Sequence, residues 1–343
     1  MTIKDIAKSC GVSISTVSRV LNNKPDVSEP VRRKVLDMVR NKGYIPNNCA
    51  RDLVKSSSDS IGVIVRGTGN LFFSDMLKTI SSEIEAGGCT MVPHFIDSHS
   101  DEVKAGAVLE REKKLMGIIF LGGRYDYSPS ELSVVDVPYV CCSYDNCFGS
   151  LDADSFSSVS IDDFATAYSA VTRLIHMGHR RIAVLAPSVC DRSVSELRCS
   201  GYRAALKDGG LEFDPELVAE TDGSYDMQAA FESMCSLIRS GKDFSAVFAI
   251  SDTTAIAAIK ALEKFGRKVP EDCSVIAIDG LRVSEYMIPT LSTMVQPSEQ
   301  MGRESVHILL DILQGRGTNR HLRLEARLRE GASVKKIDFP AQA

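Results

Sequence analysis

From Ile61 onward, short apolar runs alternate with helix-patterned stretches to the end of the chain, and this alternation limits the fold more than any other feature. The runs lie at residues 61–65, 89–95, 117–122, 139–143, 181–186, 246–250 and 274–279. Each is too short for a buried helix and is apolar on both faces, as strands of a parallel sheet are when helices cover both sides. Between them, Phe164, Tyr168, Val171, Thr172 and Ile175 fall on one helical stripe that Gly178 stops, and a second helix over 254–265 stops at Gly266. So many βα units exceed one doubly wound domain, so two lobes with a cleft between them are predicted. No apolar run approaches the roughly 18 residues that cross a bilayer, and the N-terminus lacks the apolar core of a secretory leader. No membrane association and a cytoplasmic location are therefore expected. The ten cysteines include no pair separated by two residues, so they read as reduced thiols with no metal site.

Charge divides the chain in another way. Residues 1–60 hold eleven Lys/Arg against six Asp/Glu, whereas residues 61–343 hold 29 against 39. A basic head on an acidic body points to a polyanion bound at the head alone. Within it, Thr2 caps a first helix that ends by Gly11, and Ser13 caps a second whose Val17, Val20 and Leu21 face inward. A third runs from Ser28 towards Gly43, burying Val31, Val35, Met38 and Val39. Two short helices joined at a glycine form a helix-turn-helix, whose second helix enters the DNA major groove. Ile14 then suits a thymine methyl, Ser15 a base edge and Arg19 a guanine, while Thr16 and Ser18 suit phosphates. The polar stretch 55–60 reads as a linker.

These residues carry a resemblance. Thr2-Ile-Lys-Asp-Ile-Ala-Lys, Gly11-Val-Ser13, Thr16-Val-Ser-Arg-Val-Leu-Asn22, Gly43-Tyr-Ile-Pro-Asn47 and Ala50-Arg51-x-Leu53 together resemble the head of the lactose/galactose repressor family of bacterial transcription regulators. Met177-Gly-His-Arg-Arg-Ile182, Gly201-Tyr202 and Pro289-Thr-Leu-Ser-Thr293 extend the likeness through the body. The resemblance implies a small all-α helix-turn-helix domain at 1–46, a hinge helix and linker at 47–60, and a periplasmic-binding-protein-like α/β body of two Rossmann-like lobes at 61–340. The first lobe is expected over about 61–161 and 292–321, the second over about 162–291 and 322–340. It also implies that Asn22 joins the DNA contacts and that Leu53 wedges into the minor groove. Partners follow: a pseudo-palindromic operator, a small-molecule effector of sugar type, and a second copy of the chain. The short tail after Leu328 has no leucine heptads, which favours a dimer over a zipper-linked tetramer.

Effector residues are expected at strand ends, where open α/β sheets bind ligands. Arg198, in Arg-x-x-Gly-Tyr, and Asp279 match the family's ligand-gripping residues; the alternatives are an ion pair with Glu196 and a strand-end cap. Asp252 reads equally as ligand contact or helix cap, and Arg192 is a weaker candidate. Phe73 suits stacking on a ring face, and Tyr225 also points towards the cleft. Where the family often has an aspartate, this chain has Ser143, and Asp145 shares its face if the strand continues. Asp162-Asp163 reads as a loop or cap pair. No Walker loop, nucleophile elbow or His-Glu-x-x-His is present, so neither an enzyme nor a cofactor is expected. The reading is a DNA-binding transcription regulator, a repressor controlled by a sugar or sugar derivative. Its rivals are a periplasmic-type receptor without DNA function and an enzyme of sugar or nucleotide metabolism.

Overall fold

The structure, a computed structural model, describes residues 2–21, 25–42, 59–67, 70–188, 192–221, 223 and 225–337. The chain divides into a head, Met1–Ser58, and a body, Asp59–Ala343. The expected hinge helix, with Leu53, and Asn22 lie outside the described residues.

In the head, α1 (Ile3–Cys10), α2 (Ile14–Leu21) and α3 (Glu29–Asn41) surround Ile6, Ala7, Cys10, Val17, Val20 and Val35. Local chemistry sets each boundary. Thr2 and Asp5 form a reciprocal capping box, with Thr2 N donating to the Asp5 carboxylate at 2.8 Å. Gly11 ends α1 at φ 65, a left-handed conformation that glycine adopts without a Cβ penalty. Ser13 Oγ then accepts from Thr16 N at 3.0 Å and starts α2.

Among its described residues the body holds two six-stranded sheets. The first comprises β1 (Ser60–Arg66), β2 (Thr90–Ile96), β3 (Gly117–Leu121), β4 (Tyr139–Cys142), β5 (Ser157–Ile161) and β11 (His321–Leu324). Its order is β11-β5-β4-β3-β1-β2 and every pairing is parallel. One face packs on α4 (Phe72–Ala86) and α11 (Ser298–Leu313), the other on α5 (Glu102–Lys113); the short α6 (Pro129–Leu132) precedes β4. The second sheet contains β6 (Ile182–Ala186), β7 (Val218–Glu220), β8 (Ala246–Ala249), β9 (Ser274–Asp279), β10 (Ser292–Val295) and β12 (Arg327–Arg329), in the order β12-β10-β9-β8-β6-β7. Only β12 runs antiparallel there. Helices α7 (Asp163–His176) and α8 (Val194–Asp208) cover one face, and α9 (Met227–Arg239) and α10 (Asp252–Lys264) the other.

The chain crosses between lobes three times: between β5 and α7, between β10 and α11, and between β11 and β12. The expected lobe boundaries shift accordingly. Residues 292–295 were assigned to the first lobe, but they pair with β9 and β12 and so complete the second sheet. Residues 322–324, assigned to the second lobe, pair with β5 in the first. A strand follows its hydrogen-bonding neighbour: β9 lies just upstream of residues 292–295, whereas β5 lies far upstream of residues 322–324. The eight described cysteines are free thiols.

Candidate functional site

In the head, α2 turns Val17 and Val20 into the core and leaves Ile14, Ser15 and Arg19 exposed, with Thr16 and Ser18 half-buried. Ser13 Oγ lies 2.7 Å from Ser15 Oγ and 2.8 Å from Thr16 Oγ1, forming a hydroxyl cluster at the helix N-terminus. The Arg19 guanidinium is paired with Asp26 in the turn before α3. Both side chains are about half exposed, so water screens the pair and an external acceptor can compete for the guanidinium.

The body's chemistry lies in a cavity of about 390 Å³ between the lobes, at the carboxyl ends of both sheets. Its centre is Arg198. Gly201 lets α8 approach the backbone of α7: a Cβ there would lie 2.3 Å from the Phe164 carbonyl oxygen. That approach delivers Arg198 to Asp163, the first residue of α7, with Nε donating to Oδ1 at 2.9 Å. The other arm donates to Ile250 O at 2.5 Å and lies 3.5 Å from Asp279 Oδ1. All three charged side chains are at most 5% exposed. Tyr125, from the first lobe, donates its hydroxyl to Asp163 Oδ2 at 3.3 Å, so this cluster joins both lobes.

Burial sets the protonation of these groups. It pushes the Asp279 carboxyl up to about 7, against the pull of Arg198 and with the added repulsion of Asp252. Asp163 is raised for the same first reason, with Arg198 opposing. For Arg198 burial works against the charge, but Asp163 and Asp279 outweigh it and hold the guanidinium more firmly protonated than usual. Asp279 Oδ1 accepts from Gln296 Nε2 at 2.8 Å, while among the described residues its buried Oδ2 has no hydrogen-bond partner. An unsatisfied carboxylate oxygen on a residue that lines a cavity asks for a donor such as a ligand hydroxyl.

Comparison with known proteins fits both regions. Residues 2–47 match the family described as bacterial regulatory proteins, lacI family, and residues 171–334 match a periplasmic binding protein-like domain. The HTH-type transcriptional regulator MalR of Clostridium butyricum is 38% identical, over 98% of this chain and 100% of its own length. The chain belongs to the lacI family. It is a DNA-binding transcription regulator, and its curated relatives are regulators rather than enzymes. Among solved structures, a complex of the transcriptional regulator CelR with cellobiose matches at TM-score 0.71 and 29% identity, over 97% of this chain and 99% of that one. The lac repressor dimer bound to operator and the anti-inducer ONPF matches at TM-score 0.76 and 25% identity, over 98% and 99%.

Within this lacI-family regulator, Phe73, Arg198, Tyr225 and Asp279 come together around the cavity. Three other expected residues lie outside the cavity lining. Asp145 is not among the lining residues: β4 ends at Cys142 and Ser143 adopts φ 68, which breaks the alternation. Its carboxylate accepts from Asn146 N and lies 3.9 Å from Arg323, and Ser143 and Tyr144 line the cavity instead. Arg192 lies outside the lining; its guanidinium sits over the Phe148 ring, 5.3 Å from the centroid, and its carbonyl accepts from Tyr125 N, so it ties the lobes together. Asp252 is fully buried and committed elsewhere: it accepts from Leu281 N and Ser284 Oγ, each at 2.8 Å, and from Thr293 Oγ1 at 2.5 Å. It holds the segment after β9 rather than a ligand, and Ser251 is the helix cap. Asp163, read as a loop or cap residue, proves to be Arg198's partner, and Tyr125, Arg66 and Gln296 were not anticipated. The position of Asp163 just after β5 was the available signal.

Proposed function

We propose that this chain is an operator-binding repressor that acts as a homodimer and is controlled by a sugar or sugar derivative held between the lobes. The observation that carries the reading is the buried Arg198, clamped between Asp163 and Asp279 beside an unpartnered carboxylate oxygen in a cleft built by both lobes. Vicinal hydroxyls match such a pairing of fixed donor and open acceptor. The site residues of the proposal are Phe73, Arg198, Tyr225 and Asp279, joined by Tyr125 and Asp163, with Ile14, Ser15, Thr16, Ser18 and Arg19 on DNA. The cellobiose complex of CelR and the operator-bound lac repressor dimer support the ligand and partner classes.

Effector control follows from the cross-lobe contacts. A ligand that engages Asp279 on one lobe and Phe73 on the other favours one lobe arrangement, and by linkage shifts operator affinity by typically 1–3 kcal/mol. Binding without turnover is proposed, in the cytoplasm where operator DNA is found. Among the described residues no helix is long and apolar enough to cross a membrane. Exposed Phe95 and Val108 in the first lobe and Tyr286 and Ile288 after β9 support burial against a second copy.

The test is selection of random duplex DNA on the full chain at two salt concentrations, beside Arg198→Ala. A palindromic site whose binding weakens with salt is expected, and a sugar that changes operator affinity in the wild type should lose that effect in the variant. Absence of any enriched duplex overturns the operator; a variant that keeps full response moves the effector site elsewhere.

A further inference from the structure

The arginines of the cleft differ from ordinary anion-binding residues in that each is already matched by a carboxylate. Arg66 closes β1 and lines the cavity; its Nε donates to Ser100 O at 3.2 Å and lies 3.5 Å from Glu102 Oε2. Glu102, the first residue of α5, is wholly buried behind the wall: Oε1 accepts from Arg124 N at 2.7 Å, and among the described residues Oε2 has no hydrogen-bond donor. Arg198 faces two carboxylates. The Arg124 guanidinium turns to Asp126 at 2.9 Å and Glu131 at 3.5 Å. Among the described residues, His99 is the remaining basic side chain of the lining. The N-terminus of α8, which also reaches the cavity, is capped by Ser193 Oγ, accepting from Ser195 N at 3.1 Å.

A phosphate entering this cleft would give up its water for cations whose charge is already cancelled, and it would meet the open oxygen of Asp279. An uncharged polyol meets no such cost and offers the hydroxyl that Asp279 lacks. We propose that Glu102 determines the charge class of the ligand: by neutralising Arg66 from behind, its buried carboxylate restricts the cleft to uncharged polyhydroxylated molecules and excludes phosphorylated ones. The inference rests on the cleft being the effector site. Glu102 does not touch the ligand; it acts through Arg66 and is a positioning residue. Glu102→Gln keeps the shape and the bond to Arg124 N while releasing the Arg66 charge towards the cavity.

The experiment measures binding of inorganic phosphate to the full chain at constant ionic strength, by calorimetry and melting temperature. It is run at pH about 8, because burial pushes the Glu102 carboxyl above its ordinary range. Wild type, Glu102→Gln and the double variant Arg66→Gln/Glu102→Gln are compared. Glu102→Gln should bind phosphate at least about tenfold more tightly than wild type, and the double variant should lose that gain. Equal phosphate affinity in wild type and Glu102→Gln, or retention of the gain without Arg66, overturns the proposal. Should Glu102→Gln not fold, wild type decides on paired probes, glucose against glucose 6-phosphate and cellobiose against its phosphorylated form. Stabilisation by a neutral member but not its phosphorylated partner supports the role, and the reverse order refutes it. If no carbohydrate stabilises the wild type, the effector reading falls, and phosphate bound more tightly by wild type than by the double variant, which would show the Arg66 charge still available, overturns the role of Glu102, whereas equal binding supports it.

Discussion

Raising the pH from about 6 to about 8 is expected to tighten effector binding about tenfold, and Asp279→Asn is expected to flatten that dependence. The Asp279 carboxyl is pushed up to about 7, because burial outweighs the opposing charge of Arg198. A ligand hydroxyl donating to the vacant Oδ2 favours the ionised form, so binding releases a proton. With a carboxyl that titrates near 7, the ionised fraction rises from about one tenth at pH 6 to about nine tenths at pH 8, which is worth about 1.4 kcal/mol. The stability of the empty body moves the opposite way. The folded-state value lies above the ordinary 3.8, so the stability Asp279 contributes is present below that value and is lost as pH rises through 7. The groups facing Asp279 are Arg198, Gln296 and Asp252, and His99 also lines the cavity, so the quantity to read is the difference between wild type and Asp279→Asn. Calorimetry in two buffers of different ionisation enthalpy counts the proton directly. Equal pH slopes in the two proteins, or no proton release at pH 7, would refute the reasoning.

Three further outcomes are expected. Arg19→Ala should relax operator preference at one base pair by about 1–3 kcal/mol, seen by duplex selection, and an unchanged site preference removes Arg19 from base readout. Asp252→Ala leaves Leu281 N, Ser284 Oγ and Thr293 Oγ1 without their shared acceptor in a dry interior, and should cost about 3 kcal/mol or more in denaturant unfolding; a loss under about 1 kcal/mol contradicts the network. Gly122→Ala places a Cβ at φ +73 and 2.9 Å from Phe73 Cζ, so the ring must shift and effector affinity should fall, whereas unchanged affinity takes Phe73 out of the contact surface.

Strands β1, β3, β4, β6, β8 and β9 were readable because their residues are apolar on both faces, whereas β5, equally buried, is rich in serine and carries no such run; the head was readable because caps and stops are local. Failures cluster where distant residues decide. Residues 292–295 carry Ser and Thr and take their place from β9. Asp252 cannot be told from a ligand contact without knowing that residues 281, 284 and 293 return to it. Asp145 was misplaced by one backbone angle at Ser143. Asp163 needed the close approach that Gly201 permits, and that is a property of two helices rather than of either segment.

The three crossovers have a consequence for how the chain is made. The first sheet is open at β5 until β11 arrives about 160 residues later, and the faces of Ile80 and Ile84 await Met301 and Leu309 of α11 for about 220 residues. Neither lobe is therefore complete when its main run of strands has left the ribosome. During synthesis the body presents an unpaired strand edge and an uncovered apolar helix face, the combination that invites association with other chains. Premature termination near residue 296 leaves the first lobe in that state permanently, so shortened copies of the body are expected to aggregate rather than to bind sugar.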